Sequence, residues 1–142
     1  EMTSSLVGSE MCIRDSVTDH APHEWEEKDQ EFNLAPSGFV GLETSVGAML
    51  THLYHTGIID LMSLVNVMST AQAKILNLDA GVIAPGKDAD LTFLDLDKEW
   101  TVDSSKFYSK GKSTPFDEMI FKGKAAATIV NGKFVMKNGE VL

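Results

Sequence analysis

The spacing of apolar residues changes near residues 78–81, and this change most constrains what the chain can fold into. Before it, apolar side chains recur every three or four positions, as in an amphipathic helix that a glycine at 57 would end; they are Leu42, Val46, Met49, Leu50 and Leu53. Two further helical patterns cover 61–68 and 71–78, with Asp60 and then Ser69 or Thr70 as N-caps. Three helices are therefore predicted before residue 80.

After the change, apolar and polar residues alternate, which is typical of strands with one buried face. The segment 81–86 is predicted as a short strand and turn, and 89–96 as a half-buried strand. The Asn131-Gly132 pair between 125–130 and 133–136 is a strong β-hairpin signal. Residues 107–117 form a polar loop rich in glycine and proline between these strands. The second half is therefore predicted to be β-rich.

The chain between residues 17 and 41 supplies the remaining elements. Residues 17–18 are predicted as the end of a buried strand that runs into Asp19-His20-Ala21-Pro22-His23, and 24–36 as an acidic surface loop. The predicted order is therefore strand, loop, three helices and several strands. This order gives an α/β part over 17–80 and a β-rich part over 81–142.

Residues 1–16 differ from the rest in residue usage, since they hold the only cysteine, Cys12, and the only arginine, Arg14. The stretch has no cationic start and no apolar core, so it is not a signal peptide. It resembles translated sequencing-adapter sequence, and we interpret it as a non-native or disordered leader. On this interpretation the native sequence begins near Val17 and has lost its upstream part.

Composition excludes several classes. At 142 residues the chain is too short for a complete (β/α)8 barrel, and its 43% hydrophobic content permits a core. A net charge of −9 argues against nucleic acid and anionic membranes as partners. No apolar run approaches the roughly 18–20 residues that span a bilayer. A single cysteine indicates a reducing compartment.

The residues with the clearest chemical potential are Asp19, His20 and His23, because they follow a predicted strand. A carboxylate and imidazoles there can bind a divalent metal or move a proton. Equally open is that Asp19 caps a turn and the histidines are solvated. The Pro36-Ser37-Gly38 segment either presents N–H groups to an anion or is an ordinary turn.

Other polar clusters are interpreted as surface. His52 and His55 are spaced for a shared metal, but they lie off the apolar stripe. The acidic residues of 24–31 are interpreted as a solvated loop. The 110–113 segment lacks the spacing of a phosphate-binding loop and is interpreted as a mobile basic loop.

The motifs together resemble the carboxyl-terminal third of bacterial dihydroorotases, in the amidohydrolase superfamily. The resemblance extends over 17–142. It is carried by 18–23 (TDHAPH), 26–28 (EEK), 35–38 (APSG), 41–44 (GLET), 86–92 (GKDADLT), 109–116 (SKGKSTPF) and 128–133 (TIVNGK).

This resemblance implies the end of a zinc-dependent (β/α)8 barrel, its last strand and helices, followed by a small β-sandwich subdomain. The implied reaction interconverts dihydroorotate and N-carbamoyl-L-aspartate in cytoplasmic pyrimidine synthesis. Asp19 is implied as a zinc ligand and general base, His23 as the partner of the substrate carboxylate, and the backbone of Ser37 and Gly38 as lining of the substrate site. Many relatives carry Phe at position 37; a backbone contact would survive that difference.

The same resemblance implies that the other zinc ligands come from upstream strands. We therefore expect the 142-residue chain to bind zinc weakly, to be inactive, and to have a marginal fold with exposed apolar faces. The intact protein is expected to be a homo-oligomer or to associate with another pyrimidine-pathway enzyme.

Three alternatives stay open. Another cyclic amidohydrolase, of the hydantoinase or allantoinase type, is disfavoured by His23, since an acidic substrate calls for a carboxylate partner. A non-catalytic dihydroorotase-like partner subunit is disfavoured by the presence of both Asp19 and His23. The third alternative, an independent small α/β binding module, is disfavoured by the abrupt start at Val17.

Overall fold

The computed structural model describes residues 15–142, so most of the predicted leader lies outside the described residues. The helices are α1 (Trp25–Lys28), α2 (Ser45–Met49), α3 (Leu61–Val65) and α4 (Ala71–Ile75). π-Helical turns span Leu50–Tyr54 and Asn66–Thr70, and a 3-10 turn spans Ser104–Lys106. The strands are β1 (Leu91–Thr101), β2 (Ile120–Val130), β3 (Lys133–Lys137) and β4 (Glu140–Val141). The helices-then-strands order is as predicted, but α1 lies within the segment 24–36, which was predicted to be a loop.

The first long helical segment joins α2 to the π-helical turn that follows it. It ends before Gly57, whose φ of 76° lies in the left-handed region that stops a helix at little steric cost. Leu50 is fully buried on its inner face, whereas Leu42 is exposed and precedes the helix. The predicted helix and its stop are confirmed, with a later start.

The second and third predicted helices form one continuous segment. Asp60 caps its start, since its carboxylate accepts a hydrogen bond from the Ser63 N–H at 2.7 Å. The predicted cap at Ser69 or Thr70 is wrong: Thr70 has helical angles, φ −63° and ψ −45°. Its hydroxyl donates to the Gly81 carbonyl at 2.9 Å, so it ties the helix to the following turn.

Two short predicted strands are absent from the described residues. Val17 is 77% exposed, so residues 17–18 are not a buried strand; the nearest pairing is one parallel bridge between His20 and Phe39. No strand forms over 81–86 either, because Gly81 and Gly86 have φ values of 76° and 83° and make turns. Both short apolar runs lack a neighbouring strand that would pair with them among residues 15–142.

The β-rich half is one antiparallel sheet in the order β1-β2-β3-β4. The predicted hairpin is confirmed, with φ of 50° at Asn131 and 74° at Gly132 and with Val130 opposite Lys133. β1 is longer than predicted, and bulges between Phe93 and Leu94 and after Asp95 shift its register against β2. Bulges of this kind increase the twist of a sheet, so β1 and β2 bend over α2.

The core lies between α2, the sheet and the 107–117 loop. Its buried residues are Val40, Val102, Phe107 and Phe121, with Ala48, Trp100 and Phe116 packed against them. Phe121 lies at its centre, edge-on to Trp100 and Phe116 with centroid distances of 5.7 and 5.4 Å.

Large apolar side chains remain on the surface of the helical half, as expected from the sequence. Val65 and Ile75 are partly exposed, and Met62, Leu76 and Ile83 are more so. Val65 and Ile83 line an apolar groove of about 460 Å³ between α3, the 80–83 turn and β1.

Candidate functional site

The site is built on two extended segments that run side by side, 18–23 and 38–42. The Ala21 N–H donates to the Phe39 carbonyl at 3.0 Å. Gly41 lies so close to the other segment that a Cβ there would be 2.7 Å from the Thr18 carbonyl oxygen. Only glycine permits this approach, and it fixes the two segments in register.

His20 ties the two segments together. Its Nδ1 accepts hydrogen bonds from the N–H groups of Gly41 and Leu42 at 3.2 and 3.3 Å. A nitrogen that accepts carries no proton, so the proton of this neutral ring is on Nε2. The solvated alternative for His20 is therefore wrong: the residue is half-buried and has a structural role that sequence reasoning did not identify.

Asp19 precedes this contact in a left-handed conformation, with φ of 44°. Aspartate tolerates that region better than most residues, at a modest cost in backbone energy. Its side chain is exposed at the surface beside the two segments. The carboxylate is accessible to a ligand, which keeps the predicted chemistry open without showing it.

His23 is half-buried and is held by α1. Its Nδ1 lies 3.1 Å from Oε2 of Glu27, four residues later, where one helical turn brings the two side chains together. With Glu27 accepting the Nδ1 proton, Nε2 is the nitrogen left for a ligand. His23 is thus oriented, not freely solvated.

Gly38 lies directly against His23. It has φ of 116°, and a Cβ at this position would be 2.7 Å from the Ala21 carbonyl oxygen and 3.4 Å from Cδ2 of His23. The structure therefore places two of the predicted site residues, His23 and Gly38, next to each other. Ser37, between Pro36 and Gly38, is exposed.

Lys28 is a site residue that sequence reasoning did not single out. Its ammonium donates to the carbonyl oxygens of Pro36 and Gly38 at 2.8 and 3.1 Å. The lysine follows Glu27 on α1, and its place in the 26–28 (EEK) motif was the signal in the sequence. It ties the 36–38 turn to the helix that holds His23.

The 107–117 loop closes over the other side of the two segments. The Val40 N–H donates to the Ser113 carbonyl at 2.8 Å, and a Cβ at Gly111 would be 2.9 Å from Cβ of Pro22. The carboxylate of Glu43 accepts the N–H groups of Tyr108 and Ser109, both at 2.9 Å. The loop predicted as mobile is therefore anchored at several points.

The remaining predicted surface residues are where the sequence placed them. His52 is exposed with its ring 5.7 Å from Phe121, and Nε2 of exposed His55 lies 2.8 Å from the Leu96 carbonyl oxygen. Within residues 15–142 no group of three or more His, Cys, Asp or Glu side chains could hold a metal ion. In the same range no helix is long and apolar enough to cross a membrane.

Comparison with known proteins assigns the family. The model of the amidohydrolase family matches residues 12–135, which is most of the chain. The chain belongs to the amidohydrolase family.

In sequence, this member of the amidohydrolase family is similar to bacterial dihydroorotases. It is 50% identical to a dihydroorotase of Geobacter metallireducens over 121 residues, 85% of this chain and 28% of the relative. It is 46% identical to one of Pelotomaculum thermopropionicum over 122 residues, 86% of this chain and 29% of the relative. The predicted resemblance is confirmed, and the chain spans under a third of the length of these relatives.

Solved structures of hydantoinase type share the fold of this amidohydrolase. An L-hydantoinase (dihydropyrimidinase) from Arthrobacter aurescens is 43% identical with a TM-score of 0.73, over 76% of this chain and 24% of that one. A dihydropyrimidinase from Brevibacillus agri matches with a TM-score of 0.86 over 97% of this chain and 32% of that one, at 23% identity. The second match shows the fold alone: part of an amidohydrolase with few helices and a four-stranded antiparallel sheet.

Proposed function

We propose that this chain supplies the carboxyl-terminal part of a zinc-dependent dihydroorotase, which interconverts dihydroorotate and N-carbamoyl-L-aspartate in pyrimidine synthesis. Residues 17–80 would belong to the (β/α)8 barrel, and 81–142 would form its β-rich subdomain. The 46–50% identity to bacterial dihydroorotases over most of this chain supports the assignment.

The observation that carries the proposal is that His23 and Gly38 lie next to each other. In its protonated form, an imidazole held through Nδ1–H by Glu27 still has its Nε2–H to donate to a carboxylate, and Gly38 lies beside this ring. Both dihydroorotate and N-carbamoyl-L-aspartate carry a carboxylate that is not part of the amide that is opened or closed. His23 would bind this carboxylate, and the backbone of Ser37 and Gly38 would line the site beside it.

Asp19 is proposed as the general base, because its carboxylate is exposed on the same segment, 18–23, that carries His23. As a zinc site the described residues do not suffice: Asp19 offers one ligand, whereas catalytic zinc is held by three. We therefore propose that Asp19 is one ligand among several in the complete enzyme. For the same reason, the 142-residue chain alone should bind zinc weakly and have no activity.

A hydantoinase-type cyclic amidohydrolase is the second candidate, since the Arthrobacter aurescens protein is 43% identical. The two candidates differ in the ligand. A substrate without the extra carboxylate would not need His23, whereas a dihydroorotase substrate would.

The test is a chimera in which residues 17–142 replace the corresponding part of the Geobacter metallireducens dihydroorotase. We expect zinc-dependent cyclisation of N-carbamoyl-L-aspartate, abolished by Asp19→Ala. His23→Ala should raise KM about tenfold or more, with a smaller change in kcat, because one charge-assisted hydrogen bond is lost. Glu31→Gln, on the exposed part of the same loop, is the matched control and should not change the kinetics.

The outcomes separate the alternatives. A folded chimera that hydrolyses hydantoin but does not cyclise N-carbamoyl-L-aspartate would favour the second candidate. A folded chimera that binds zinc without turning over either substrate would favour the non-catalytic partner. Unchanged kinetics in Asp19→Ala or His23→Ala would remove the role given to that residue.

A further inference from the structure

The short helix α1 contacts both parts of the candidate carboxylate site through two adjacent side chains. Glu27 lies 3.1 Å from Nδ1 of His23. Lys28 donates to the carbonyl oxygens of Pro36 and Gly38 at 2.8 and 3.1 Å. One helical turn thus sets where the imidazole and the glycine turn stand relative to each other.

The two contacts of Lys28 also determine where the neighbouring N–H groups point. In a trans peptide the N–H points opposite to the C=O. Because the Pro36 carbonyl points at the ammonium, the N–H of Ser37 points away from it. The cation therefore orients the Ser37 N–H, which has no hydrogen-bond acceptor among residues 15–142 and can donate to a ligand.

The positive charge of Lys28 also favours an anionic ligand at the site. Both of its described acceptors are neutral carbonyl oxygens, and no described carboxylate lies within ion-pair distance of it. The ammonium is half-buried, where a charge is less screened than at an open surface. It adds positive potential beside His23, which favours an anionic ligand.

We propose that Lys28 is the positioning residue of the carboxylate site: it holds the 36–38 turn against His23 and orients the Ser37 N–H toward the substrate. This inference rests on the proposed function. Lys28 acts through the backbone it holds and does not itself touch the substrate. Glu27 sets the ring of His23 from the same helical turn.

The test uses the 142-residue chain, labelled with ¹⁵N and titrated with N-carbamoyl-L-aspartate. Lys28→Met removes the donors and keeps the side-chain length, and Lys28→Arg keeps donors and charge. Lys74→Met, at an exposed position of α4, is the matched control, because Lys and Met have similar helix propensities. N-carbamoyl-β-alanine, which lacks the extra carboxylate, is the control ligand.

In the wild type we expect the Ser37 and Gly38 amide signals to shift with N-carbamoyl-L-aspartate and much less with the control ligand. Lys28→Met should weaken the apparent affinity about tenfold, move both amide signals without ligand, and speed exchange of the Ala21 N–H about tenfold. Signals of β2 should stay in place. Lys28→Arg should restore most of the affinity, and Lys74→Met should behave as wild type.

Equal apparent affinities of wild type and Lys28→Met for N-carbamoyl-L-aspartate would overturn the inference. A wild type that shows no response to N-carbamoyl-L-aspartate would count against a carboxylate site formed by this chain alone, and the chimera then tests the proposed function. Lys28 is then judged from the ligand-free spectra, where unchanged Ser37 and Gly38 signals in Lys28→Met would overturn its role. If Lys28→Met loses the signals of β2, Lys28→Gln replaces it with the same expected losses.

Discussion

The two halves of the chain are held together in different ways. The β-rich half has a continuous antiparallel ladder from β1 to β4 and contributes the central aromatic residue, Phe121. The half that carries Asp19 and His23 is held at the site by pairs of hydrogen bonds from three side chains, His20, Lys28 and Glu43. The candidate chemistry thus lies where the backbone has few ties, as is common for functional loops.

Val40 is one residue that couples the two halves at the site. Val40 is fully buried in the aromatic cluster, and its neighbour Phe39 accepts the hydrogen bond of Ala21 in the site. Val40 also donates its N–H to Ser113 of the 107–117 loop. Packing of Val40 against the β-rich half therefore helps to set the position of the site.

The largest expected effect comes from Phe121→Ala, which should cost about 3–5 kcal/mol of unfolding free energy. Phe121 is fully buried and packs edge-on against Trp100 and Phe116, so its loss leaves a cavity at the centre of the core. Urea unfolding followed by tryptophan fluorescence measures the cost. Phe134→Ala, at a 50% exposed position of β3, is the control and should cost no more than about 1 kcal/mol. Similar losses in the two variants would contradict a core centred on Phe121.

An intermediate effect is expected from Gly123→Ala on β2, where the two halves meet. A Cβ there would lie 2.8 Å from Cβ of Leu50, a fully buried residue after α2 that cannot move away cheaply. Gly139→Ala has a similar positive φ, 88° against 102°, but meets only the end of the Lys124 side chain at 3.9 Å. Since the backbone strain is shared, Gly123→Ala should be the less stable variant by about 1–3 kcal/mol, the cost of overpacking. Equal unfolding free energies would show that helix and sheet are not tightly packed here.

The sequence was sufficient to predict a structural feature where the residues that determine it are close together in the chain. The Asn131-Gly132 turn has left-handed angles at both residues, and this pair of residue types is suited to them. The Asp60 cap likewise acts on a residue three positions away.

The sequence was insufficient to predict a side chain's role where its hydrogen-bond partner is distant in the chain. The hydroxyl of Thr70 bonds to Gly81 and does not cap a helix, and Lys28 finds its acceptors at Pro36 and Gly38. His20 finds its donors more than twenty residues away, at Gly41 and Leu42. Apolar periodicity carries no information on such contacts. This is why Asp19, His23, Ser37 and Gly38 could be named from motifs, whereas the residues that position them could not.

The smallest effect on stability is expected from removing the Asp60 cap at the start of α3. Among the described residues, Asp60 makes hydrogen bonds only within the helical half. The hydrogen bond from the Ser63 N–H holds the pKa of this carboxyl below its ordinary value of 3.8. A lowered pKa means that the stabilising contribution of the Asp60 carboxylate is complete above about pH 4 and is lost as the pH falls through the folded-state value.

Asp60→Ala should lower the thermal midpoint at pH 7, measured by circular dichroism, and the difference from wild type should vanish at low pH. Asp60→Asn keeps a capping oxygen without the charge, so it should stay close to wild type at pH 7 and should not lose its cap in acid. Asp88→Ala, at an exposed position in a turn, is the control. A deficit of Asp60→Ala that persists in acid would show that the helix start depends on packing and not on the carboxylate, and the helical half would then resemble the β-rich half in how it is held.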